Sequence, residues 1–342
     1  MTLPLSTDYS PMEAKLVDTI PTGDQWLYEP KWDGFRCLAF RDGDSVELMS
    51  KAGKPLTRYF PDVADALRAI AARKFVLDGE IVIVHGEALS FDDLLMRIHP
   101  AASRVKKLAA ETPGTLIVFD LLVDARGKAL VAEPFAERRE ALERFFAEEA
   151  HPARVRLSPA TRDLEVVEKW MESVGSGLDG IVAKRADLAY QSGNRLGMQK
   201  MKQIRTADCV VGGFRYASKG KVVGSLLLGL YDDAGLLQHV GFTSNIPSRD
   251  KAEVTTTLEK LVEPPGFTGR APGGPSRWST ERTGQWEPLA TKLVVEVHYD
   301  YFDGDRFRHG TSFVRWRPDK APKQCTLAQV AQESRSAAML MK

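Results

Sequence analysis

Near residue 204 the apolar pattern changes period, and that change constrains the fold more than any other feature of the chain. Upstream, helical stretches alternate with strand-like ones. Residues 59–73, YFPDVADALRAIAAR, place Val63, Leu67 and Ile70 on one helical face. Residues 134–149 predict a helix that starts at Pro134 and carries charge on its outer face. Residues 163–174 predict another, stopped by Gly175-Ser176-Gly177. Strands are expected at 45–50, 74–84, 115–123 and 178–185. Downstream, strand-like runs at 209–216, 224–232, 237–244, 293–302 and 312–318 dominate, with one helical pattern around 248–262. Short strands separated by turns predict a small β-barrel. The whole reads as an α+β chain of two domains, 1–204 and 205–342, which suits 342 residues. Residues 263–284, rich in Gly and Pro, read as a long surface loop.

Bulk properties narrow the function by exclusion. The net charge of +1 gives no global attraction to a polyanion, so such binding must come from local patches. Cys37, Cys209 and Cys325 lie far apart and form no CxxC or Cys/His cluster. Neither a zinc site nor a disulfide framework is expected, and a reducing cytoplasm is. The start MTLPLSTDYSPMEAKLVD lacks a basic segment followed by an apolar one, so a signal peptide is not expected. No run of about 18 apolar residues predicts a membrane span.

The stretch LYEPKWDGFRCLAF, residues 27–40, is where chemistry enters. The alternation through FRCLAF predicts an extended, half-buried strand. Lys31 stands beside it, and lysine is almost never buried without a partner or a task. Taken alone, the stretch reads as a solvated strand end with Asp33-Gly34 as its turn. It is followed, in order, by VLDGEIV (76–82), LIVFDLL (116–122), DGIVAK (179–184), QKMK (199–202) and RPDKAP (317–322).

Headed by Lys31-x-Asp33-Gly34-x-Arg36, this series resembles motifs I, III, IIIa, IV, V and VI of the nucleotidyltransferase superfamily of DNA ligases, RNA ligases and mRNA capping enzymes. LTRYFPDV, YQSGNR, RTADCVVGGFR, VVEVHYD and FRHGTSFVRWRPDKAP resemble the bacterial ATP-dependent DNA ligases of the stand-alone C type, over nearly the whole chain. The resemblance implies an adenylation domain of nucleotidyltransferase, ATP-grasp-like type followed by an OB-fold β-barrel domain. It also implies a monomer acting on nicked duplex DNA in the cytoplasm, at the nucleoid, with ATP and Mg²⁺ or Mn²⁺. No membrane partner is implied, and protein partners are unknown.

The chemistry accounts for these residue types. A phosphate monoester has no good leaving group, so a 5′-phosphate must be activated with AMP before a 3′-hydroxyl can displace it. A covalent enzyme intermediate carries that AMP. Lys31 is implied as nucleophile toward the α-phosphate of ATP, with Lys200 and Lys202 as neighbouring cations that favour its neutral form. Glu29 would read the adenine edge through its backbone, Phe119 would stack on the base, and Arg36 would meet ribose and later the nick phosphate. Glu80 would accept from a ribose hydroxyl or help place metal. Lys184, Lys200 and Lys202 would reach the phosphates. Arg317 and Lys320 would aim the pyrophosphate for departure.

Two positions depart from the family pattern. Asp179 stands where glutamate is usual, and a carboxylate one methylene shorter can still ligate magnesium, directly or through water. Ser50-Lys51-Ala52-Gly53 stands where many relatives read SRNG, so a point charge replaces a planar fork at the expected nick-phosphate contact. Arg58 is a candidate helper there. Basic clusters at 184–205, 305–323, 103–107 and 218–221 suit phosphate contact without sequence reading. His99 and His309 lack the partners of a metal site. Two other readings share some of these residues: an RNA ligase or capping-type nucleotidyltransferase, and a DNA-end-binding module without catalysis.

Overall fold

The structure is a computed structural model that describes residues 2–85, 88–149, 152–172, 178–202, 204–218, 220–273, 285–308 and 310–330. Residues 274–284 of the expected loop, His309, Lys219 and the Gly175–Gly177 stop lie outside the described residues. The chain divides into two compact units, with the change at Gln203/Ile204.

Two sheets build the first unit. One holds β3 (Phe35–Asp42), β4 (Ser45–Ser50), β5 (Lys74–His85), β7 (Gly114–Val123) and β8 (Val155–Leu157) in the order β4-β3-β5-β7-β8, with β6 (Ala88–Leu89) paired to β5. The other runs β1-β10-β9-β2, from β1 (Lys15–Leu16), β10 (Met198–Met201), β9 (Leu178–Arg185) and β2 (Trp26–Trp32). Helices α1 (Pro61–Arg68), α2 (Phe91–Arg97), α3 (Ala102–Glu111), α4 (Phe135–Glu148) and α5 (Leu164–Glu172) connect and cover them.

The first sheet is buried on both faces. Cys37 and Ala39 of β3 join Val63 and Leu67 of α1 and Leu142 and Phe145 of α4 in one core. Leu38 and Phe40 point the other way, into a second core with Tyr190 and Met198. The strand expected to be half-buried at FRCLAF is buried on both faces from Cys37 onward, while Phe35 and Arg36 stay partly exposed. The charged outer face expected for α4 is present, with Glu137, Glu140, Glu143 and Arg144 exposed, but two arginines of the helix turn inward. Arg138 is fully buried in a bidentate pair with Asp120, both bonds 2.9 Å, and Arg139 is buried too. Pro134 is the residue before α4 and not its first turn. The helix expected over 59–73 ends at Arg68, although Ile70 still joins the core from the turn beyond.

In the second unit, β11 (Arg205–Tyr216), β12 (Val223–Tyr231), β13 (Leu237–Thr243), β15 (Val294–Tyr299) and β18 (Ser312–Trp316) form an antiparallel sheet ordered β13-β12-β11-β15-β18. Strand β14 (Glu287–Pro288) pairs with β11, β16 (Phe302–Asp303) with β17 (Arg306–Phe307), and α6 (Lys251–Glu259) packs on β12. Its core is a single cluster that includes Val211, Phe214, Leu226, Leu228, Val295 and Val297. The expected barrel is not closed. Its outer strands meet at one bridge, Thr243–Thr311, where each threonine hydroxyl donates to a backbone carbonyl of the other segment. The arrangement is consistent with an OB fold.

Candidate active site

The stretch that opened the chemical argument is where the chain passes from one sheet to the other. LYEPKW ends β2, and FRCLAF is β3 of the first sheet. Strand β2 lies at its sheet's edge, which is where a proline without an N–H is tolerated. The pairing of β2 with β9 slips between Pro30 and Trp32, and Lys31 is the residue at that slip. Such irregularities re-aim side chains at the ends of strands. Gly34 is required for the crossing, since a Cβ there would stand 2.2 Å from the carbonyl oxygen of Ile81.

Lys31 Nζ donates to Asp179 Oδ2 at 2.6 Å, and Lys202 Nζ lies 3.0 Å from the same oxygen. Asp179 is the second residue of β9, and Gly180 follows at φ +127°, where a Cβ would stand 2.0 Å from Met201 O. Only glycine lets β10 come this close, and the approach carries Lys200 and Lys202 to the carboxylate. The Lys200 amine is held below its ordinary value by burial first, then by Lys31, Lys202 and Lys51. Glu80, on β5, is pushed up to about 7 by burial, against the pull of Arg36 and Lys31.

Lys31, Lys51 and Lys200 line a cavity of about 190 Å³ together with Glu29, Arg36, Glu80, Phe119 and Lys184. Asp78 aims Arg36, accepting from its Nε and Nη2 at 2.6 and 2.7 Å. Tyr190 braces Asp78 with a 2.6 Å hydrogen bond and accepts one from Met12 N. The Arg36 guanidinium lies 4.5 Å from the Phe119 ring centre.

Lys184 is buried at the cavity, with Nζ 2.7 Å from Glu29 Oε2 and 3.2 Å from Phe119 O, two of the three hydrogen bonds its ammonium can donate. The Glu29 carboxyl is raised above its ordinary value by burial, with Lys184 and Arg139 opposing. Its Oε1 is buried without a hydrogen bond and lies 3.6 Å from Arg139 Nη1.

The remaining expected residues divide. Lys51 is exposed at the cavity, 3.3 Å from Glu13. Ser50 Oγ accepts from Lys54 N and so closes its own turn. Arg58 donates to the carbonyls of His99 and Pro100 and lies outside the cavity lining. Arg317 and Lys320 are in the second unit, paired with Asp208 at 2.8 and 3.4 Å. Sequence reasoning passed over Asp78, Tyr190, Glu13 and Asp208. Three of these stood in segments already singled out, VLDGEIV, YQSGNR and RTADCVVGGFR, as polar residues among apolar ones.

Residues 11–202 match the model of the ATP dependent DNA ligase domain, and residues 219–320 that of the ATP dependent DNA ligase C terminal region. The chain is 45% identical to DNA ligase C2 of Mycolicibacterium smegmatis, over 96% of each. It is 42% identical to DNA ligase C of Mycobacterium tuberculosis, again over 96% of each. A solved structure from work on Lig E DNA ligases shares the fold at TM-score 0.56 and 18% identity, covering 90% of this chain and 99% of that one.

Proposed function

The chain belongs to the ATP-dependent DNA ligase family, and on that premise we propose that it seals nicks in duplex DNA through an AMP adduct on Lys31. One observation carries the site assignment: the Lys31 amine, at the slip of an edge strand, shares Asp179 with Lys202 beside a cavity that also contains Glu29, Phe119 and Arg36. The cation-rich wall suits a polyphosphate. In the first step the Lys31 nitrogen bonds to the α-phosphorus, the bond to pyrophosphate breaks, and the amine's proton is lost. Asp179 Oδ2 accepts that amine's hydrogen bond beforehand and so fixes its position. Lys200 and Lys202 stabilise charge on the phosphoryl oxygens, and Arg317 and Lys320 act on the departing pyrophosphate. The 5′-phosphate of the nick then takes the AMP as the bond to Lys31 breaks, and the 3′-hydroxyl attacks that 5′-phosphorus and displaces AMP.

Glu80 and Asp179 are the carboxylates we propose for a small divalent ion: Asp179 accepts from Lys31, and Lys31 also acts on Glu80. Magnesium takes one or two carboxylates with phosphates and waters. Bound there, Mg²⁺ or Mn²⁺ would polarise the phosphoryl oxygens. Arg36, Lys51 and Ser50 are proposed for contact with DNA at the nick. Among the described residues no helix is long and apolar enough to cross a membrane, and we place the protein in the cytoplasm, at the nucleoid.

Mass spectrometry of protein treated with ATP and Mg²⁺ should show the gain of one AMP unit, lost in folded Lys31→Ala. An adduct that survives this substitution removes Lys31 as nucleophile. Labelling with ATP, GTP and NAD⁺ side by side, then turnover on nicked DNA and nicked RNA, separates this reading from capping, RNA ligation and binding alone.

A further inference from the structure

Asp208 stands in RTADCVVGGFR with no part in the mechanism above. On β11 it is paired with Glu296 of β15, which is itself paired with Arg315 of β18. The β12 ladder begins only at Val210, so the other edge of Asp208 meets no strand among the described residues. The Gln329 amide pairs with that edge instead, accepting from Asp208 N at 3.1 Å and donating to Asp208 O at 3.2 Å. The backbone under this carboxylate is therefore held on both sides.

The two carboxylate oxygens are divided between two cations. Oδ1 accepts from Arg317 Nη1 at 2.8 Å, and Oδ2 lies 3.4 Å from Lys320 Nζ. Arg317 is otherwise saturated: Asp319 accepts from its Nε and Nη2, at 3.0 and 2.9 Å, and Glu296 lies 3.5 Å from Nη1. Lys320 is more exposed, 28% against 18% for the Arg317 side chain. Of the two cations proposed for the pyrophosphate, Arg317 is thus the more firmly braced and Lys320 the more exposed.

We propose that Asp208 is a positioning residue that fixes the direction in which Lys320 presents its amine to the pyrophosphate half of ATP. The proposal rests on the ligase reading. A lysine head on a flexible stem loses contact energy to ordering, and an anchored one has that entropy removed in advance. Displacement of a contact group by about 1 Å can cost up to a hundredfold in rate. Asparagine at 208 keeps an acceptor for Arg317 but cannot offer acceptors to both cations.

The test separates the steps of ligation. Asp208→Asn should slow AMP-adduct formation by about tenfold to a hundredfold. It should leave the sealing of a pre-adenylylated nick within about twofold, because no pyrophosphate departs in that step. Thermal unfolding should match wild type, and Asp208→Glu should recover part of the loss. Adding Asp208→Asn to Lys320→Ala should slow adduct formation no further than Lys320→Ala does. Equal loss in both steps with a lowered melting temperature makes Asp208 merely structural and overturns the proposal. So does an additive double variant, or an Asp208→Asn protein as fast as wild type. A wild-type protein that takes no AMP overturns the ligase reading itself.

Discussion

Two groups of cations, one in each unit, carry opposite electrostatics. In the first unit Lys31 and Lys202 share one carboxylate oxygen, and Lys200, crowded by three other lysines, has its amine held below the ordinary value. In the second, Asp319, Asp208 and Glu296 surround Arg317 and hold its guanidinium above the ordinary value, and Arg317 in turn pulls the Asp319 carboxyl down to about 2. The first group is short of negative charge and gains from an arriving phosphate. The second is already neutralised and supplies geometry. Both are basic motifs in the sequence, so the difference lies in which carboxylates the strands bring alongside.

Breaking the scarce anion of the first group should have the largest effect. Asp179→Asn removes the charge that both Lys31 and Lys202 use, while keeping its size. Adduct formation should fall by about a hundredfold, the cost of losing a charged positioning contact at a reacting group. An Asp179→Asn protein that forms adduct at the wild-type rate would show that the two lysines need no shared anion.

Glu80 tests the same group by stability. Its carboxyl is pushed up to about 7 by burial, from an ordinary value of 4.5. For a raised value the sign is fixed: the contribution is fully present below the ordinary value and is lost as pH rises through about 7. Glu80→Gln, which never ionises, should match the nucleotide-free wild type near pH 4.5 and exceed it at pH 8 by about 2–4 kcal/mol. Denaturant midpoints of the two proteins across that range measure the gap. A gap of constant size would mean that Glu80 ionises without penalty.

The order of elements and the place of the lysine were readable, because strand and helix periods differ and because Lys31 had no core role to play. What escaped were the partners. The inward turn of Arg138 and Arg139 in α4 is not legible in the sequence, and its reason is that Asp120 and Glu29 wait on facing strands. Lys184 is read from its motif, which does not show that Glu29 lies within its reach. The closure of the barrel failed differently. Strand count is local, while closure depends on how the outer strands meet, here at Thr243 and Thr311.

Salt sharpens the comparison on a smaller scale. Cations inside a cavity are screened less than exposed ones, and exposed cations release counterions when they bind DNA. Sealing should therefore weaken by at least about tenfold between 50 and 200 mM salt, and adduct formation by much less. Equal sensitivity of both steps would place the DNA contact and the nucleotide contact on the same groups.

The smallest effect is expected where the second group is most redundant. Arg315 is 62% exposed and pairs with Glu296 at 2.7 Å, on the oxygen that also faces Arg317. Arg315→Ala leaves Glu296 wholly to Arg317, so the brace tightens and nothing buried loses a partner. An exposed pair of this kind contributes about 0–1 kcal/mol, so stability should change little and adduct formation should stay within about twofold of wild type. A tenfold loss in adduct formation with sealing of a pre-adenylylated nick intact would mean that Arg315 reaches the nucleotide, and that the second group is not the neutralised brace its carboxylates suggest.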